Sequence, residues 1–231
     1  MSTSSLNSLD SYPKLLSLAV HELRTPASVV GGYLRMLQRD GESALSERQR
    51  KMVDEAEKSC QRLVAIVAEI SDVAKLDAGL LSLAHQPFDL FAAIGELAAL
   101  VHEAEDRDVR LQLRGDADGA RLTGDTTRLG RAFDAIFRSI LREKAGPAIV
   151  AVDRRRDTID GRPWAVVVVA DESKVQAAYT APRGEFDEKR GGLGLALPLA
   201  RRVIEKHGGR IWAPADDALA RSSAIVAIPI E

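Results

Sequence analysis

A chain of 231 residues that is 45% hydrophobic and 29% charged is a globular protein with room for one large domain or two small ones, and two modules is the default reading. A net charge of −2 gives no pull toward nucleic acid or an anionic membrane, and with 4% aromatic residues the cores must be aliphatic. One cysteine, Cys60, excludes an internal disulfide framework and a thiolate metal site; no apolar run reaches 18 residues and Met1 to Asp10 lacks a signal-peptide pattern, so a cytoplasmic chain with no membrane segment is expected.

Residues 1–12 are Ser-rich and read as a disordered segment or linker. From Pro13, apolar residues recur at Leu15, Leu18, Ala19, Leu23, Val29, Val30, Tyr33, Leu34 and Leu37, a helical period that predicts one helix to about Gln38. Asp40-Gly41-Glu42-Ser43 reads as a turn, and Ser46 with Gln49 as a capping box that starts a second helix. Met52, Ala56, Cys60, Leu63, Ile66, Val67, Ile70, Val73 and Leu76 line one side of it, and Gly79 marks its end. Residues 13–80 are therefore a helical hairpin with one apolar seam per helix. A homodimeric four-helix bundle completes it naturally, a monomeric hairpin packed on the rest of the chain being the alternative.

After a connector over 81–87 the pattern changes for residues 88–231. Helices are predicted at about Leu90 to Asp106, Thr126 to Glu143 with Asp125 as N-cap, and Leu193 to His207. Strands are predicted at Val109 to Leu113, Ala148 to Asp153, Trp164 to Ala170, Arg210 to Ala213 and Ala224 to Ile230, with an irregular stretch from Asp171 to Arg190. Arg154-Arg155-Arg156 reads as a solvated turn or strand end. The fold class is α+β: a two-helix hairpin followed by an α/β sandwich.

Chemistry concentrates at two places. His21-Glu22-Leu23-Arg24-Thr25-Pro26 sets an imidazole beside a carboxylate, with a hydroxyl one helical turn on. Pro26 removes the amide that would bond the Glu22 carbonyl, which lets the helix bend. Gly191-Gly192-Leu193-Gly194-Leu195 leads into a helix, so backbone amides there can cradle phosphate. The remaining histidines, His85, His102 and His207, have no metal-ligand spacing, and His207 reads as a helix cap.

Residues His21 to Pro26 resemble the phosphoacceptor motif of sensor histidine kinases. Ala74-Lys75-Leu76-Asp77-Ala78-Gly79 followed by Phe88-Asp89-Leu90 is similar to that family's passage from dimerisation hairpin to ATP-binding domain, and Gly191 to Ile211 resembles its glycine-rich box and following helix. The resemblance spans Leu15 to Ile230 and implies His21 as phosphoacceptor, Glu22 as acid-base partner and Thr25 as a support for dephosphorylation. It also implies ATP held by Asp171, Gly192, Gly194, Leu195 and Arg142, magnesium at the position of Ser139, and a receiver-domain partner.

The chain departs from that pattern at Ala135 and Ser139, where the family has asparagines, and at Ser173 and Val175, where it has glycines. The lid, Glu172 to Arg190, carries Lys174, Arg183, Lys189 and Arg190, cations that meet phosphates or form a solvated loop. Three functions follow: an ATP-dependent histidine autokinase that passes phosphate to a response-regulator aspartate; a relay that moves phosphate between receiver domains through His21 without ATP; or a dimeric docking scaffold.

Overall fold

A computed structural model describes residues 11–40 and 45–231. The Ser-rich residues 1–10 and the turn residues Gly41, Glu42 and Ser43 lie outside that description. The chain divides into two compact units, the first ending at Leu81 and the second running from Ser82 to Glu231.

In the first unit, α1 (Ser11–Asp40) and α2 (Glu47–Asp77) pack along each other as a hairpin. α2 starts where the side-chain pattern says it should: the Ser46 hydroxyl accepts from the Gln49 N–H, and the Gln49 side chain accepts from the Ser46 N–H at 2.9 Å. Small residues bring the helices together. The Cys60 thiol donates to the Ala27 carbonyl at 3.1 Å, and a methyl group on Gly31 would meet the Cys60 sulfur at 3.3 Å. Gln38 of α1 and Asp54 of α2 add a hydrogen bond of 2.9 Å. Leu18, Leu23, Val29, Val30, Tyr33, Met36 and Leu37 of α1 nevertheless stay exposed. Among the described residues no helix is long and apolar enough to cross a membrane.

The second unit is a mixed sheet covered on both faces. Its elements are β1 (Gln86–Asp89), α3 (Leu90–Ala98), β2 (Val109–Gly115), β3 (Arg121–Gly124), α4 (Thr126–Arg142), β4 (Ala148–Ile159), β5 (Arg162–Asp171), α5 (Val175–Thr180), β6 (Arg183–Gly184), α6 (Ala196–Lys206), β7 (Arg210–Pro214), α7 (Asp217–Ala220) and β8 (Ser223–Pro229). Six strands run in the order β2-β4-β5-β8-β7-β6, parallel only between β2 and β4, and β1 pairs with β3 as a separate antiparallel ribbon. β4 and β5 meet at Asp160-Gly161, both with positive φ (54° and 75°), the two-residue turn whose twist suits adjacent antiparallel strands. Leu129, Ala132, Phe133, Ile136, Phe137 and Ile140 repeat every three or four residues along α4 and are all buried, so this helix is the centre of the core. Trp164, Val166, Val168 and Ala170 of β5 form a separate cluster with Val175 and Ala178 of α5.

Several elements depart from the sequence-based expectations, each because tertiary contacts outweigh local pattern. The helix expected to Asp106 stops at Ala98, and Ala104 and Asp108 take left-handed φ. That break lets Glu103 reach Arg138 and Arg142 and lets Arg107 donate to the carbonyls of Arg142 and Lys144. Arg154 is interior to β4 rather than in a turn, 6% exposed, donating to the Phe91 carbonyl at 2.9 Å. The stretch from Asp171 to Arg190 is not wholly irregular, since it holds α5 and β6.

Candidate functional site

On α1, His21 Nδ1 lies 3.4 Å from Glu22 Oε1, with side chains 76% and 72% exposed. A carboxylate on that side favours the tautomer with its proton on Nδ1, which leaves the Nε2 lone pair free. Thr25 is one turn on and its hydroxyl donates weakly to the His21 carbonyl, at 3.5 Å. The proline at 26 sits inside an unbroken helix. The three residues thus form an accessible imidazole, a proton acceptor and a hydroxyl on one helix.

The second unit holds the other predicted residues in a different state. Asp171, at the end of β5, is ion-paired to Lys144 and, at 3.3 Å, to Lys174. Ser139 is fully buried in α4, and its hydroxyl donates to the Ile136 carbonyl at 2.7 Å. Arg142 donates to Glu103 at 2.9 Å and to the Gly191 carbonyl at 3.4 Å. These contacts hold the Glu103 carboxyl below the usual carboxylate range: the Arg142 hydrogen bond leads, and Arg138 adds to it against the opposing effect of burial. Gly192 and Gly194, at φ 61° and 67°, precede α6, with Leu195 at its N-cap position.

Sequence reasoning missed what the lid residues touch. Arg190 is 5% exposed rather than free to meet phosphate, and Phe186 is buried beside it. Gly191 lies against Ser139 so closely that a Cβ there would stand 2.7 Å from the Ser139 Cα. Val175, at an expected glycine position, starts α5 and is packed in the β5 cluster. His207 does end its helix, but as a two-sided bridge: Nδ1 lies 2.7 Å from the Val203 carbonyl, and Nε2 accepts from the Asp125 N–H at 2.9 Å. Asp89, noticed only as part of a motif, accepts from the N–H groups of Phe91, Ala92, Gly119 and Ala120.

Magnesium does not fit these residues. It requires hard oxygens in near-octahedral array, whereas the Ser139 hydroxyl is turned into its own helix and Ala135 supplies no donor. Among the described residues no three His, Cys, Asp or Glu side chains converge to hold a metal ion. At the expected adenine end, the Asp171 carboxylate is ion-paired to Lys144 and Lys174.

Comparison with known proteins agrees with the hairpin-plus-sandwich layout. Residues 14–79 match the family model for the His Kinase A (phospho-acceptor) domain. The chain is 28% identical over 207 residues to the signal transduction histidine-protein kinase BarA of Escherichia coli strain K12, covering 83% of this chain and 22% of that one. It therefore spans about a fifth of the length of such curated relatives. Two solved structures share the fold. ShkA in complex with AMPPNP has a TM-score of 0.69 at 21% identity over 94% of this chain and 45% of that chain. Histidine kinase ThkA in complex with response regulator protein TrrA has a TM-score of 0.58 at 19% identity over 99% of this chain and 64% of that chain. Residues 14–79 thus match a phospho-acceptor domain, and the chain is similar to sensor histidine kinases along most of its length.

Proposed function

We propose that this chain is a phosphotransfer core of a two-component system: His21 takes up a phosphoryl group and passes it to the aspartate of a response-regulator receiver domain. The exposed His21–Glu22 pair, inside the matched residues 14–79, is the observation that carries this reading. The Nε2 lone pair attacks phosphorus as the P–O bond to the donor breaks, and Glu22 takes the Nδ1 proton from the imidazolium that forms. Onward transfer reverses the sequence, with a receiver carboxylate attacking and the P–N bond breaking. Thr25 orients a water for dephosphorylation. A second copy of the hairpin covers the exposed apolar face of α1 in a homodimeric four-helix bundle.

We take the donor to be an aspartyl phosphate on a receiver domain, a reading supported by the Ser139 hydroxyl being turned into its own helix at the expected magnesium position. ATP-dependent autophosphorylation is the second reading, supported by the left-handed Gly192 and Gly194 ahead of α6. The two are separated by giving the protein labelled ATP with magnesium in one arm and a labelled phosphoreceiver in the other, each alongside His21→Ala. Label from the receiver alone, lost in His21→Ala, is expected. Label from ATP establishes the autokinase, and label from neither source leaves only a docking scaffold.

A further inference from the structure

The segment just ahead of the glycines that lead into α6 is tied into the core. Arg190 Nη1 donates to the Ser223 carbonyl and Nη2 to the Ala220 carbonyl, both at 2.9 Å, and Nε reaches the Asp187 carbonyl at 3.3 Å. Its guanidinium lies 4.7 Å from the Phe186 ring centroid, and Phe186 is 2% exposed. Glu188 is ion-paired to Arg201, whose Nη2 also donates to the Phe186 carbonyl at 3.2 Å. One residue beyond Arg190, the Gly191 backbone rests on Ser139, with no room for a side chain between them.

A lid cation that served phosphate would keep its fork open to an incoming anion. Here protein carbonyls fill the Arg190 fork, and burial pushes its pKa down with only Glu143 and Asp187 opposing. A guanidinium taken from water and satisfied in this way fixes one arrangement of the chain, because releasing it strands three carbonyls and unseats Phe186.

From this we infer that residues 185–192 are held by an Arg190 latch against the Ala220–Ser223 backbone and over Ser139 of α4, in an arrangement that needs no nucleotide to form. Arg190 is a positioning residue: it holds Gly191 over Ser139 and so seals this face of α4. The inference goes beyond the phosphotransfer reading and does not rest on His21 carrying phosphate.

The test places a lone thiol under the latch, as Ser139→Cys in a Cys60→Ala chain, and follows its reaction with dithionitrobenzoate in the absence of nucleotide. The reporter chain should react at least a hundredfold more slowly when folded than when unfolded in guanidinium chloride. Adding Arg190→Ala should raise the folded rate tenfold or more, with Arg190→Lys falling between. If Ser139→Cys fails to fold, judged by its melting curve, hydrogen exchange at the Gly191 amide of the Cys60→Ala chain, with and without Arg190→Ala, replaces the thiol as the readout. A folded rate within tenfold of the unfolded one, or a rate unchanged by Arg190→Ala, overturns the latch. Failure of the phosphotransfer reading would leave these rates untouched.

Discussion

Glu22 and His21 are adjacent, exposed and 3.4 Å apart, so solvent screens their attraction and the pair adds little to stability. In the proposed phosphotransfer its worth is kinetic. Glu22→Gln keeps the shape of the side chain but removes the proton acceptor, and phosphoryl uptake from a receiver is expected to slow by about 10²-fold or more with the melting temperature unchanged. Single-turnover transfer followed by phosphate gels measures this directly. His21, Glu22 and Thr25 were legible in sequence because one helical turn holds them, and local spacing alone sets their geometry. Ser139 and Arg190 were not. The first is decided by the backbone of Gly191, more than fifty residues away, and the second by carbonyls of Ala220 and Ser223.

At the level of elements, Asp125 is the joint where three pieces of chain meet. Its Oδ1 caps α4 by accepting from the Arg128 N–H at 2.9 Å, its Oδ2 accepts from the Ala84 N–H at 3.1 Å, and its own N–H donates to His207. Burial on its own would raise the pKa of this carboxyl, but the N–H groups of Arg128 and Ala84 outweigh it and hold the group below its ordinary value. The unfolded chain therefore binds this proton more readily than the folded one. The stabilisation is complete above about pH 4, the usual range of an unfolded aspartate, and is lost as pH falls through the lower folded value. Asp125→Ala is expected to cost about 1–2 kcal/mol at neutral pH in urea unfolding and to flatten the acid limb of stability against pH. The N-caps at Ser46 and Asp125 could be read from residue type, since capping is local, whereas the cap at Asp89 emerged only in the structure. The β1–β3 ribbon could not: four residues a side carry too little alternation to distinguish it from a connector. α5 was hidden likewise, because six residues are helical only by packing on β5.

At the scale of the whole molecule, the proposed phosphate carrier and the nucleotide-binding residues implied by the resemblance fall in different units. The order of hairpin and sandwich was legible because hydrophobic period changes after Gly79, from long helical stripes to alternating short strands and helices. Self-association also belongs to this scale. Val29, Tyr33 and Leu37 lie along one exposed stripe of α1, and the double substitution Tyr33→Glu, Leu37→Glu is expected to turn a dimer into a monomer in sedimentation velocity without changing far-UV circular dichroism. A wild-type chain that sediments as a monomer at the same concentration would remove the bundle from the account.

The central claim is that His21 carries the phosphoryl group, and tandem mass spectrometry of the chain after exposure to a phosphorylated receiver addresses it most directly. Trypsin releases His21 within Leu15–Arg24, in which it is the only histidine. The expected result is a phosphorylated Leu15–Arg24 peptide with the modification on the imidazole, labile in acid and absent from His21→Ala. Phosphate on His85, His102 or His207 instead, or on no residue at all, would contradict it.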